Sequence, residues 1–537
     1  MPGMIVAPQP IAVEKGAKVL MEGGNAIDAA VTCAFVQGVV NPQMCGIGGY
    51  ILLNLHLADS QNPSRILDAP ALAGSKVTPT MWEDIFIRPN PDGWGYFLED
   101  QVNTVGYQSV CIPGAVKGLA AMLERWGTIS WERAIEPAAQ IAEAGFMVDS
   151  HLAAGWKRRA KYLEAYSLID CIKSNPEASR VYIKADGSAY DEGEILQNPD
   201  FAQTLRQLAA GGAESFYRGE LARRISEDLE ANDSFVTTQD LLDYELRDEP
   251  TVTGTYRGYT IKTCTPPHGG PTLLAILNIL EGYDLSSLEH NSPEYIYRVS
   301  MAMKAAFADR NPHLADPRFG DVPLAWMISK NRAAEWQKVI DADAPIEVVF
   351  TASEPPDTTH VSIVDKNGNC VALTHSLGSS SGAITPGLGF MYNNSMINFH
   401  PLPGHPNSIA PRKGRTTGMT PTIVYKDDAP VLVIGAPGAT RIITSIAQVI
   451  LNVLDFGMRV NDAVLAPRFD CQGDLIKCQA RIPEYVCEEV RKRHPITHLP
   501  QSHGGLGLVH AILRDAETGR LSGAADTGSG GMAIEVS

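Results

Sequence analysis

The sequence predicts a mixed α/β protein of the α+β kind, with helices and antiparallel strands in separate stretches. Two patterns carry that prediction. Between Pro113 and Glu230 apolar residues recur at helical spacing, whereas from residue 358 onward short alternating runs are joined by hairpin signals. The 537 residues are 44% hydrophobic and 20% charged, enough to build a large core of ordinary composition.

In chain order, the first helix is expected over Ile11–Met21, stopped at Glu22-Gly23-Gly24, where glycine can turn left-handed. Ile27–Val40 is apolar on nearly every side and reads as a buried helix. The glycine-rich loop ending in Gly46-Ile47-Gly48-Gly49 leads into a strand, Tyr50–Leu57. It lacks the third glycine and the following helix of a dinucleotide site. Gly114–Trp126 and Trp131–Ala144 are the clearest helices of the middle, and Pro137 is expected to break or kink the second. Asp186–Asn198 is polar and reads as a surface loop. A strand over Tyr259–Thr263 meets Thr265-Pro266-Pro267-His268-Gly269-Gly270-Pro271, followed by helices over Thr272–Glu281 and Pro293–Ala308. Ile340–Asp357 mixes Pro345, Pro355 and Pro356 with acids and shows no helical period. It reads as an exposed linker, the setting a scissile bond needs. Thr358–Asp365 and Cys370–Leu377 then flank the turn Lys366-Asn367-Gly368-Asn369. Thr422–Tyr425 and Val431–Ile434 give a second hairpin, and Arg441–Leu454 is helical.

Net charge is −17, from 61 acidic and 44 basic residues, which reads as a solubilising acidic surface. No basic stripe interleaved with aromatics appears, so nucleic acid is not an expected partner. The apolar runs are too short to span a bilayer, no signal peptide is visible, and a cytoplasmic protein without a membrane partner is expected. Nine scattered cysteines suit free thiols in a reducing compartment. His494 and His498 are four apart, but Pro495 interrupts a helical face and the spacing supplies no third ligand. Neither metal nor cofactor is expected.

The chemistry centres on Thr358, in Glu354-Pro355-Pro356-Asp357-Thr358-Thr359-His360. A threonine hydroxyl needs an adjacent base, and one solution exposes the threonine as a new chain terminus whose own α-amine takes the proton. If the loop is Lys366-Asn367-Gly368, Asp365 faces Asn369, and counting back sets Thr358 opposite Ser376, His360 opposite Thr374 and Ser362 opposite Ala372. Those residues would share one face, leaving Thr359, Val361, Ile363, Val371 and Leu373 on the other. Threonine-rich strands are also ordinary sheet material, and His360 also fits a satisfied structural side chain. Gly435-Ala436-Pro437-Gly438-Ala439-Thr440-Arg441, between a strand and a helix, could aim backbone N–H groups at an oxyanion or be a plain turn.

Taken together, the segments resemble the γ-glutamyltransferase family of N-terminal-nucleophile hydrolases. The resemblance runs collinearly from Glu22-Gly23-Gly24-Asn25-Ala26-Ile27-Asp28-Ala29-Ala30 and Gly46-Ile47-Gly48-Gly49, through Ile112-Pro113-Gly114, Pro266-Pro267, Ala308-Asp309-Arg310 and Thr358-Thr359-His360. It continues to Asn393-Asn394, Met419-Thr420-Pro421-Thr422, the Gly435–Arg441 run and Gly523-Ala524-Ala525-Asp526. It implies a four-layer αββα fold and self-cleavage between Asp357 and Thr358. Fragments 1–357 and 358–537 would remain an intertwined heterodimer. It also implies Thr358 as nucleophile, Ser376 as its supporting hydroxyl, and the N–H groups of Gly438 and Ala439 as the oxyanion hole.

Departures from the family pattern point away from a γ-glutamyl substrate. Ile66 stands where an arginine would grip an α-carboxylate, with Arg65 one residue away. Gly378, Ser395 and Asn398 stand where polar or acidic groups would hold an α-amine, and Thr417 and Gly418 replace a serine pair. Losing a charge-paired contact typically costs several kcal/mol. The segment Phe399–Thr417 is also shorter than in members with a lid loop. The resemblance thus implies an amide hydrolase or acyltransferase acting on some other small-molecule amide, similar to the oxamate amidohydrolases or β-lactam side-chain acylases. Arg412, Lys413, Arg415 and Arg441 are candidate anion grips. A γ-glutamyltransferase or glutathione hydrolase is the alternative if Arg65 reaches the clamp position. A serine hydrolase with the elbow Gly378-Ser379-Ser380-Ser381-Gly382 is the alternative of another class, although Ala383-Ile384-Thr385-Pro386-Gly387 does not supply the helix that motif requires.

Overall fold

The computed structural model describes residues 2–91, 93–352 and 357–537. Two antiparallel sheets lie at its centre. The first has seven strands in the order Met532–Val536, Gly3–Ala7, Thr359–Val364, Cys370–Ser376, Tyr50–His56, Ser64–Ala69, Arg247–Glu249. The second has six, in the order Leu521–Ala525, His510–Arg514, Ala429–Gly435, Thr422–Lys426, Tyr259–Thr263, Val252–Tyr256. Alternation along the strands sorts the side chains between layers. Ile51, Leu53, Leu67, Val361, Ile363, Val371 and Leu373 pack outward with the helices Pro10–Met21, Ala26–Val40, Ala115–Trp126 and Trp131–Ala144. Met4, Val6, Ala372, Ile423, Val433 and Ile512 fill the space between the sheets. The far side of the second sheet carries Gly270–Leu280, Pro293–His313 and Arg441–Leu454. The layers are therefore helix, sheet, sheet, helix, the αββα arrangement the resemblance implied.

Residues on either side of position 357 share both sheets. Thr359–Val364 lies between Gly3–Ala7 and Cys370–Ser376, and Cys370–Ser376 pairs in turn with Tyr50–His56. In the second sheet Thr422–Lys426 pairs with Tyr259–Thr263. The helix Ala26–Val40, buried along its whole length, begins with a capping box between Asn25 and Asp28. Its first N–H donates to Asp365 Oδ2 at 3.0 Å, across that same divide. A backbone cut near residue 357 would leave these ladders and the common core intact.

Trp131–Ala144 runs through Pro137 without interruption. The carbonyl that loses its intrahelical partner there is that of Arg133, an exposed residue whose carbonyl water can serve. The helix beginning at Pro293 extends to His313, beyond the expected Ala308. The expected linker starts two residues late, because the helix Lys330–Asp341 extends into it. Residues 342–352 have no regular structure and are mostly exposed, and Ser353, Glu354, Pro355 and Pro356 lie outside the described residues.

Candidate active site

The first hairpin has the register read from its turn. His360 faces Thr374 and Ser362 faces Ala372. Gly368 takes a φ of 89°, and the Asp365 N–H reaches the Asn369 carbonyl at 3.0 Å. Thr358 therefore arrives beside Ser376, just ahead of its strand, with the hydroxyl oxygens 3.1 Å apart. Thr358 Oγ1 and Ser376 Oγ each donate to the carbonyl oxygen of Asp357 at 2.8 Å. Ser376 Oγ accepts the Gly378 N–H at 2.9 Å. Two glycines allow the chain to close around this point: a Cβ on Gly49 would fall 2.2 Å from the Ser376 carbonyl oxygen, and one on Gly378 2.4 Å from Asn394 Oδ1. Burial pushes the Asp357 carboxyl above the usual carboxylate range, offset in part by Arg158 and a hydrogen bond with Ser379.

His360 is not the base. Its ring nitrogens are taken by Thr374 Oγ1 at 2.8 Å and Ser362 Oγ at 3.0 Å. Burial, together with His510 and His375, holds it well below the usual histidine range, so it stays neutral. Thr359 lies on the helix-facing side as expected, but in a buried polar cluster. It donates to Gln9 Oε1 at 3.0 Å and accepts from Gln37 Nε2 at 2.9 Å.

The turn after Ala429–Gly435 passes close to this strand, for a Cβ on Gly435 would fall 2.1 Å from His360 Cε1. Gly438 has φ 136° and Ala439 φ 59°, so both lie in the positive-φ region. Gly418 packs against the turn, with room for no side chain: a Cβ there would fall 2.1 Å from the Ala439 carbonyl oxygen. Thr417 Oγ1 lies 2.9 Å from His268 Nδ1, and His268 Nε2 lies 3.1 Å from Asp68 Oδ2. This buried grouping of hydroxyl, imidazole and carboxylate, whose His268–Asp68 contact lacks hydrogen-bond geometry, was not anticipated. Asp68 and His268 are 200 positions apart, and only the sheet register brings Asp68 to this side.

That register also decides the fate of Arg65. Ser376 pairs with Tyr50 and Leu52 with Asp68, so Asp68 and Ile66 share the face of Thr358 and Ser376. Arg65 is on the opposite, helix-facing side and does not reach the clamp position. Ile66 is fully buried among Tyr50, Leu52, Met396, Phe399 and Met419. Ser395 and Asn398 occupy a short 3₁₀ turn, Ser395–Asn398. Ser395 Oγ and Asn398 Oδ1 are buried there without a hydrogen-bond partner among the described residues.

The candidate anion grips are mostly committed elsewhere. Arg412 is paired with Asp240 at 3.3 Å and Asp243 at 2.8 Å, and Lys413 donates to the Pro406 and Ser408 carbonyls at 2.7 and 2.8 Å. Arg441 lies over Trp94, with its guanidinium carbon 4.6 Å from the ring centre. Arg415 is buried against Tyr50, the residue paired with Ser376, with its guanidinium carbon 4.6 Å from the ring centre. The elbow reading fails on geometry. Ser380 has the positive φ (67°) such a nucleophile adopts, but its Oγ is buried 3.0 Å from Met391 Sδ and no helix follows before Ser395.

The family model of γ-glutamyltranspeptidase matches residues 12–536. The chain belongs to the γ-glutamyltranspeptidase family. Among similar proteins, the acylase ACY 1 proenzyme of Pseudomonas sp. (strain SE83) is 34% identical over all of this chain and 94% of its own length. The glutathione hydrolase proenzyme of Bacillus subtilis (strain 168) is 32% identical over 99% of this chain and 91% of its own. The solved cephalosporin acylase from Bacillus halodurans superposes with a TM-score of 0.86 at 26% identity, covering 99% of this chain and 95% of that one. As a member of this family the chain is an amide-bond hydrolase of the N-terminal-nucleophile type, with acyl transfer within its chemistry. Its site holds the Asp357 carbonyl between two hydroxyl donors, Thr358 Oγ1 and Ser376 Oγ.

Proposed function

We propose that the chain cuts itself between Asp357 and Thr358 and then uses Thr358 as the nucleophile of an acylase, hydrolysing or transferring the acyl group of a small-molecule amide that is not γ-glutamyl. The observation that carries this reading is the Asp357 carbonyl, held at 2.8 Å by both Thr358 Oγ1 and Ser376 Oγ. In the precursor Oγ1 adds to that carbonyl carbon, the C–N bond to Thr358 breaks, and the nitrogen takes up the proton. Water then hydrolyses the resulting ester. Residues 1–357 end at Asp357, and Thr358 begins a second chain with a free α-amine.

In turnover the amine accepts the Oγ1 proton as Oγ1 attacks the substrate carbonyl. Gly438 and Ala439 N–H groups hold the oxyanion, and the ammonium returns its proton to the leaving amine. A second attack on the acyl-threonine, by water or another amine, releases the acyl group and restores the hydroxyl. Removing one such oxyanion donor typically costs ~10²–10³ in rate.

The absence of an arginine at position 66, the outward face of Arg65, and the uncharged Ser395 and Asn398 support an acyl group lacking the paired ammonium and carboxylate of γ-glutamate. Ser395 Oγ and Asn398 Oδ1 are positioned to bond its polar atoms, beside the apolar surface of Ile66. The names of the acylase relatives favour the same choice, and those of the glutathione hydrolases keep the alternative in play. The test compares γ-glutamyl-p-nitroanilide with a panel of N-acylated amines, including cephalosporin side-chain amides, and reads the acylated 358–537 fragment by mass spectrometry. Turnover of the γ-glutamyl compound equal to the best amide would reject the substrate assignment. Active protein with no chain beginning at Thr358 would reject the mechanism.

A further inference from the structure

Away from the active site, three metal-ligating side chains that the sequence spaces irregularly meet at one point. Cys478 ends the strand Ile476–Cys478, His498 ends its parallel neighbour Ile496–His498 directly opposite, and Cys487 lies on the helix Glu484–Arg491. Cys478 Sγ is 3.7 Å from Cys487 Sγ, and Cys487 Sγ is 3.5 Å from His498 Nε2. Among the described residues this is the one place where three such side chains bring ligand atoms within 4.8 Å of one another.

From these distances we infer that Cys478, Cys487 and His498 form a binding site for zinc. With Zn–S of about 2.3 Å and Zn–N of about 2.0–2.1 Å, a tetrahedron has S···S edges of about 3.8 Å and S···N edges of about 3.6 Å. These two separations agree with the expected edges to within about 0.1 Å, and the third, Cys478 to His498, lies within 4.8 Å, whereas a disulfide would need the sulfurs at about 2.05 Å. Two thiolates and an imidazole suit zinc and exclude hard cations such as magnesium or calcium. His498 Nδ1 lies 3.1 Å from Glu484 Oε2, the carboxylate contact that commonly fixes the Nδ1–H tautomer and leaves Nε2 for a metal. In the metal-free ring Nε2 donates to the Ile482 carbonyl oxygen at 2.7 Å, so binding shifts the ring proton to Nδ1 and replaces that contact. Both cysteines are fully buried, while the His498 side chain is 28% exposed and gives solvent a path to the fourth position.

Metal coordination requires both cysteines as thiolates. Binding is then Zn²⁺ plus two Cys–SH giving a dithiolate complex and two protons, and affinity falls by up to ~10²-fold for each pH unit of acidification. The metal would brace the small sheet that supports the oxyanion turn. Phe469 in that sheet pairs with Cys478, and Gln472 Oε1 just beyond accepts from Thr440 Oγ1 at 2.7 Å. The role is structural: it stabilises the 358–537 region without touching the reacting atoms.

The test uses the full-length protein purified reduced, stripped by chelator, and titrated with Zn²⁺ or with Co²⁺ as a spectroscopic probe. One zinc per chain by elemental analysis is expected, with sulfur-to-cobalt charge-transfer bands and the visible bands of four-coordinate cobalt. Cys487→Ser and His498→Gln should each lower zinc affinity by at least ~10²-fold in chelator competition, whereas Cys33→Ala and Thr358→Ala should retain it. Circular dichroism identifies variants that have not folded, and His498→Gln, at a partly exposed position, keeps the comparison available if the buried cysteine variant fails. Unchanged zinc affinity in chelator competition for a folded His498→Gln variant would overturn the inference. So would a reduced wild-type protein that binds neither metal.

Discussion

Ser376→Ala separates a catalytic hydroxyl from an ordinary buried one. The substitution removes one of the two donors on the Asp357 carbonyl and the acceptor of the Gly378 N–H, while leaving Thr358 in place. Loss of an aligned donor to a carbonyl developing negative charge typically costs ~10²–10³ in rate, or about 2.7–4 kcal/mol. The stability cost is smaller, about 1–3 kcal/mol for a buried N–H left unpaired, and a chain of this size remains folded. The assay is appearance of the 1–357 and 358–537 fragments on a denaturing gel after rapid purification, with intact mass fixing the cleavage point. Wild-type protein should be fully cut when the variant is largely intact, and Ser376→Thr, which restores the hydroxyl, should recover most of the rate. Processing of Ser376→Ala within tenfold of wild type would show that the 2.8 Å contact does not assist the reaction and would refute the reasoning.

Thr358→Ala should give one intact, inactive chain with an unchanged melting temperature to within a few degrees, checked by gel and calorimetry. Gly418→Ala forces a Cβ to within 2.1 Å of the Ala439 carbonyl oxygen, so it should displace the oxyanion turn and lower kcat by at least ~10²-fold with fragments still formed, as steady-state kinetics would read. On the proposed mechanism the base is an α-amine, whose ordinary pKa is ~7.7–8.0, so kcat/KM should rise through that range with slope one and be lost in acid. Buried His375 and His510 are depressed by burial to about 3 and about 4. The unfolded chain therefore binds protons near ~6.5 that the native state refuses, and stability is full above that pH. It falls as pH drops toward 4, by about 2 kcal/mol per histidine at pH 5, and a melting temperature equal at pH 7.5 and 5 would count against it.

The sequence was most legible where local chemistry fixes geometry. Lys366-Asn367-Gly368 specifies a hairpin loop, and its register places Thr358 against Ser376 without tertiary information. The helix over Ile27–Val40, apolar on nearly every side, is likewise recognisable as buried. What spacing cannot show is pairing between distant strands. Gly3–Ala7 and Met532–Val536 pair with each other from opposite ends of the chain and have no local turn to announce them. The Thr417–His268–Asp68 grouping depends on such pairing, as does the outward face of Arg65, where a one-residue offset reverses the side chain's direction. Cys478, Cys487 and His498 were illegible for the same reason, since a strand end, a helix and a second strand meet there only in three dimensions.

On the proposed mechanism one hydroxyl would serve both reactions, and the precursor would then be competent for cutting before its amine exists. In the intact chain Ser376 Oγ holds the Asp357 carbonyl and lies 3.1 Å from Thr358 Oγ1, and after the proposed cut it would still lie beside that hydroxyl. It is kept there by the Gly378 N–H and by a strand paired on both sides with its neighbours, none of which the cut disturbs. The carbonyl position that Asp357 would vacate would then be open to a substrate amide, so that the proposed self-cleavage would amount to a first turnover on the chain's own peptide. Specificity must consequently come from groups beyond that carbonyl. On this face those groups are Ile66, Ser395, Asn398 and the Tyr50–Arg415 pair, and exchanging them should change which amides react while leaving cleavage at Thr358 intact.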